Sequence, residues 1–140
     1  MMKENDLKKF VSALLTILVL SSFSMCLFAI PTDAVTPRWV SIFSIDVSMA
    51  FDGVEGEVSG IASKKSTASR IEGTLYLYKL VGDDWIYIDE WYGSKSIGTL
   101  AVSGTFDCES EVTYKAVFVV TAYTDNTPES ETYEYIKQCP

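Results

Sequence analysis

Val112 to Tyr123 reads VTYKAVFVVTAY, and in it Val112, Tyr114, Ala116, Phe118, Val120 and Ala122 occupy every second position. A period of two is the repeat of a β-strand with one face on a core, whereas an amphipathic helix would place apolar residues at i, i+3 and i+4. Val117 and Val119 add apolar side chains of the opposite parity, which predicts a central strand covered on both faces. Tyr114, near the start of this strand, stands where β-sandwiches carry a tyrosine that locks the connection into it.

The same alternation recurs on either side. Upstream, Phe43, Ile45, Val47, Met49 and Phe51 predict the inner face of a first strand that stops at Asp52-Gly53, a hairpin signal. Val54, Val58 and Ala62 then predict a second inner face, with Gly56 and Gly60 marking close approach by a neighbouring strand or ring. After the polar loop Ser63–Ser69, Ile71, Leu75 and Leu77 alternate with Glu72, Thr74, Tyr76 and Tyr78, and Val81–Asp84 turns the chain. Trp85–Tyr92 is a fourth strand whose two faces are both apolar, so its inside is not assigned by pattern. Leu100, Val102 and Phe106 define a fifth, and Thr132–Cys139 a seventh beyond the turn Thr124–Glu129. No stretch after Val35 keeps a helical period. The expected fold is therefore all-β, a seven-stranded two-sheet sandwich of immunoglobulin or fibronectin type III kind, with a small β-barrel as the alternative.

The N-terminus has a different character. Lys3, Lys8 and Lys9 precede an uncharged stretch, Phe10 to Thr32, whose centre VSALLTILVL (Val11–Leu20) has the length of a secretory signal core. Small residues at Thr32 and Ala34 suit a signal peptidase better than Leu27 and Ala29, so residues 1–34 are expected to be a signal peptide and 35–140 a single domain. An uncleaved membrane anchor is the alternative, because the uncharged stretch is long enough to span a bilayer. A lipid anchor on Cys26 would require a small residue where Met25 stands. Removal of the signal leaves Cys108 and Cys139, and an even cysteine number in an exported chain predicts one disulfide between them.

The whole chain has 11 basic and 19 acidic residues, a net charge of −8. That balance opposes binding to nucleic acid or to an anionic membrane, which need Lys and Arg to neutralise phosphate. After cleavage no membrane association is expected. The absence of histidine removes Ser-His and Cys-His nucleophile pairs and the usual zinc sites. No cofactor, metal or catalytic residue is expected, and the domain is read as non-enzymatic. Acidic turns at Asp83-Asp84, Asp89-Glu90 and Asp107-Glu109-Glu111 are candidate calcium ligands, but none has the regular one-three-five loop with its glycine.

Arg38-Trp39, IEGTLYLYK (Ile71–Lys79), the strand with tryptophan near both ends, VTYKAVFVVTAY and the late Cys139 together resemble a recurrent group of small secreted one-domain β proteins of Gram-positive bacteria. The resemblance implies export and a β fold. That group has no assigned activity, and no site residues follow from it.

The candidate site is aromatic. The candidates are Tyr76 and Tyr78 on the outer face of the third strand, with Trp85, Tyr87, Trp91 and Tyr92 on the fourth, and several of these rings would share a face if the two strands pair. Flat rings take the apolar faces of sugars, and the same patch could anchor an extracellular protein. The competing structural role is a core tryptophan at position 85 or 91 with tyrosines as half-buried strand formers. Two functions are expected from this: a binding or adhesion module for glycan or cell-wall polymer, or a protein-interaction factor acting through an acidic face or a sheet edge.

Overall fold

The computed structural model describes residues 39–140, and the predicted signal segment, its anchor alternative and Cys26 lie outside the described residues. Seven strands follow one another: β1 Ile42–Asp52, β2 Glu55–Lys64, β3 Arg70–Val81, β4 Asp84–Lys95, β5 Thr99–Asp107, β6 Thr113–Thr124 and β7 Thr127–Gln138. They form an antiparallel three-stranded sheet, β1-β2-β5, packed on a four-stranded one, β4-β3-β6-β7. This is an all-β sandwich of two open sheets, not a closed barrel.

The turns use the residues that tolerate left-handed backbone. Gly53 and Gly82 stand at positive φ in the β1–β2 and β3–β4 turns, and Asp125 and Asn126 do so between β6 and β7. That last two-residue turn is tight enough for β7 to begin at Thr127. β7 is thus five residues longer at its start than the expected Thr132 onset, because the polar segment TPE was read as loop but pairs with β6.

The core lies between the sheets. Ile45, Val47, Val58, Leu75, Phe118 and Val120 are among its buried members. Phe118 fills the space left by two glycines on facing strands: a Cβ at Gly60 or at Gly73 would come within 2.7 Å or 2.6 Å of its ring. Gly56 likewise makes room for Phe106, so the glycine pattern of β2 marks ring approach as expected. The Tyr114 hydroxyl, buried at the foot of β6, accepts a hydrogen bond from the Glu109 backbone N–H (2.9 Å) and ties the β5–β6 connection to the core. Burial first of all raises the Tyr114 pKa.

Three inner-face expectations are corrected. Phe43 is exposed and Ile42 buried, because an irregularity between Ile42 and Ser44 reverses the parity of the first residues of β1. Val54 lies in the β1–β2 turn and is also exposed. β6 is central in its sheet, yet only one of its faces is covered: Val117 and Val119 are half-buried on an open outer surface.

The seam between β1 and β7, edges of different sheets, is closed by side chains. The Glu129 carboxylate accepts hydrogen bonds from the backbone N–H groups of Val40, Ser41 and Ile42. Toward the other end, Lys137 Nζ donates to the Met49 carbonyl (3.0 Å) and lies over the Phe51 ring.

Candidate functional site

The outer face of the four-stranded sheet is built from the residues of β3 that alternate with its buried Ile71, Leu75 and Leu77. Register places Thr74 between Tyr92 and Val119, Tyr76 between Glu90 and Val117, and Tyr78 between Tyr87 and Lys115. Leu80 stands opposite Trp85. Five of the six expected aromatic residues, Tyr76, Tyr78, Trp85, Tyr87 and Tyr92, therefore lie on one surface.

Trp91 does not. It pairs with buried Leu75, packs against the core, and covers Gly104 of β5, where any side chain would overlap the indole. The cause is a bulge. Leu77 is opposite Asp89 and Tyr78 opposite Tyr87, so Ile88 is an extra residue that inverts the parity of β4. It brings Tyr92 and Glu90 onto the face of Trp85 and Tyr87 and turns Trp91 inward, which is why the two faces of this strand looked equally apolar. Trp91 takes the role of core tryptophan, and Trp85 does not.

The surface has an ordered centre. Tyr78 and Tyr87 meet edge to face at 6.0 Å between centroids. The Lys115 ammonium lies 4.5 Å from the Trp85 ring centre and 5.4 Å from that of Tyr78, so one cation holds two rings. Tyr87 and Tyr92 are more than half exposed. Tyr87 has its pKa raised, by partial desolvation and then by the charges of Glu90 and Asp89; a phenol is neutral and able to donate a hydrogen bond at physiological pH without that shift. At one end Arg70 lies over Tyr123 and pairs with Glu72, whose carboxylate also accepts from the Tyr123 hydroxyl. Pattern reading missed Lys115, Val117 and Val119 as parts of this surface, although the two valines' parity was the available signal.

The other expectations fall elsewhere. Cys108 and Cys139 are buried side by side as free thiols, 2.8 Å between sulfurs. Burial, and then the neighbouring thiol, push the Cys108 pKa up to about 11. The acidic turns do not converge, and among the described residues no group of three or more His, Cys, Asp or Glu side chains is placed to hold a metal ion. A cleft of about 450 Å³ lies between the β6–β7 turn and Val40; of the two carboxylates that line it, Asp125 belongs to the turn and Glu129 is already engaged by backbone donors. Among the described residues no helix is long and apolar enough to cross a membrane.

No protein-family model and no curated protein matches the chain. Solved structures similar to it include the solution structure of CsgH from R. palustris, 15% identical with a TM-score of 0.44 over 68% of this chain and 90% of that one. A protein from Archaeoglobus fulgidus is 9% identical with a TM-score of 0.39, over 71% of this chain and 98% of the other. At these TM-scores neither likeness bears on function.

Proposed function

We propose that the chain is an exported, non-catalytic binding module that adsorbs neutral glycan or cell-wall polymer on the outer face of its four-stranded sheet. The observation that carries this reading is the gathering of Tyr76, Tyr78, Trp85, Tyr87 and Tyr92 on that face by strand register and by the β4 bulge. A row of rings on a rigid sheet presents apolar area with little side-chain entropy to lose, which is what stacking on pyranose rings requires. Glu90 on one side and Glu134 on the other flank the Tyr76 row as acceptors for hydroxyls. The net charge of −8 selects against anionic polymers. Export rests on the N-terminal segment, and an oxidising destination would close the adjacent Cys108 and Cys139 into a disulfide.

Retention on cellulose, chitin and purified peptidoglycan tests the reading. Tyr78→Ala with Tyr92→Ala is expected to lower retention at least tenfold, the loss of roughly 1.4 kcal/mol or more. Phe43→Ala, an exposed ring on the opposite sheet, is expected to change nothing. Equal retention of both variants, or no retention of the unmodified protein on any of the three polymers, rules the reading out.

A further inference from the structure

A three-on-four sandwich has four open strand edges, and three of them are defended. β1 and β7 occupy one another, through Glu129 on the N–H groups of Val40 to Ile42 and Lys137 on the Met49 carbonyl. β7 also carries Pro128, which cannot donate to a ladder. β4 is interrupted by its bulge at Ile88 and carries Asp84, Asp89 and Glu90, the devices by which natural edges refuse further strands.

β5 has none of these. It runs Thr99 to Asp107 (TLAVSGTFD) with nine consecutive pairs to β2 and no irregularity, and from Thr99 to Phe106 it holds no charge and no proline. Its other edge pairs with no strand. Its alternation is clean: Leu100, Val102 and Phe106 are buried, and Thr99, Ala101, Ser103 and Thr105 face out as small side chains.

We propose that this edge takes the β5 strand of a second copy of the chain, antiparallel across a two-fold axis at Ser103, joining two three-stranded sheets into one of six strands. Residues of β5 sum to a common register: Thr99 would face Asp107 of the second copy, Leu100 Phe106, Ala101 Thr105, Val102 Gly104, and Ser103 itself. Every apolar inner residue then continues the inner face and every small polar one the outer face. A register shifted by one residue would place core side chains in solvent. Asp107, the one charge of the strand, meets a threonine and not its own copy.

The occupant is a second copy for one further reason beyond register. A net charge of −8 opposes self-association everywhere but is felt least along this uncharged edge, and apolar surface meets there. The antiparallel joint also places Ile97, 87% exposed before β5, at the same end of the joined sheet as the second copy's β1–β2 turn. That turn carries Val54, which is 77% exposed. These are the two most exposed large apolar side chains among the described residues, and the symmetry brings them to one end twice. Such an isologous strand pair is a small interface.

Sedimentation of the full chain at on the order of 0.1 mM, suited to a small and weak interface, is expected to show a dimer. Ser103→Lys places two ammonium groups on the axis and is expected to give monomer. Ser48→Lys, on the same outer face two strands away, is expected to keep the dimer. Thermal melting of both variants reports whether each is folded. A second measurement reads the register directly: in a chain carrying Cys26→Ser, Ser103→Cys is expected to cross-link to itself under mild oxidation, whereas Ala101→Cys, opposite Thr105, is not. A monomeric unmodified chain, a dimer indifferent to Ser103→Lys, or equal cross-linking at 101 and 103 overturns the proposal. A heterologous strand as the edge's only occupant would appear as the first of these.

Discussion

Glu129 does the work that a strand pair would do elsewhere. The first described residues have no ladder partner along β7, and an unpaired buried N–H costs about 1–3 kcal/mol. One carboxylate satisfies those of Val40, Ser41 and Ile42. Burial alone would raise its pKa, but these donors outweigh burial and hold it below the ordinary carboxylate value. A depressed folded-state pKa contributes stability that is complete above the unfolded carboxylate range and disappears as pH falls through the folded value. Glu129→Gln is expected to destabilise by about 1 kcal/mol at neutral pH, discounted for its partial exposure. Denaturation curves should show that difference shrinking below about pH 4. A difference independent of pH would mean that the carboxylate's charge plays no part.

Phe118 and the bulge in β4 show two ways in which a strand's neighbours decide what its pattern means. The ring of Phe118 lies on Gly60 of one sheet and Gly73 of the other, so even one methyl forces movement in a packed centre. Gly73→Ala is expected to cost about 1–3 kcal/mol, and a melting temperature within error of the unmodified protein would show that the ring yields without loss. The glycines of β2 were legible as sites of close approach because an isolated glycine in an alternating strand has few other uses. The β4 bulge was not legible. Ile88 is as β-prone as its neighbours, and an extra residue leaves no compositional trace, so only pairing with β3 reveals that Trp91 and Trp85 point to opposite faces. Phe43 was misplaced for the same reason, a local reversal of parity at the start of β1.

The sandwich as a body is asymmetric, and most of its candidate function follows from that asymmetry. Seven strands, the buried faces of β3, β5 and β6 and the lock on Tyr114 could be read from alternation and turn chemistry, because each is a local property. The open outer surface of β6 could not: Val117 and Val119 look the same whether a second layer or solvent lies above them. The cysteines belong to this level too, since their free thiols stand side by side where the end of the last strand meets the β5–β6 connection, 31 residues apart in sequence. If the protein is exported and oxidised, as proposed, its mass will be two hydrogens below that of the reduced form. Reduction will then remove about 3 kcal/mol of stability, or roughly 10–20 °C in melting temperature for a domain of this size. Exported protein recovered with both thiols intact would refute the bridge.

The inward turn of Trp91 also gives the chain a built-in optical assay. Trp91 is held between the sheets, Trp85 is stacked under an ammonium group on the proposed binding face, and Trp39 meets Tyr133 at the β1–β7 seam. Each indole reports on a different event. In single-tryptophan variants, emission from position 85 would follow the proposed adsorption, that from position 39 the closing of the seam, and that from position 91 the integrity of the core, with no label attached.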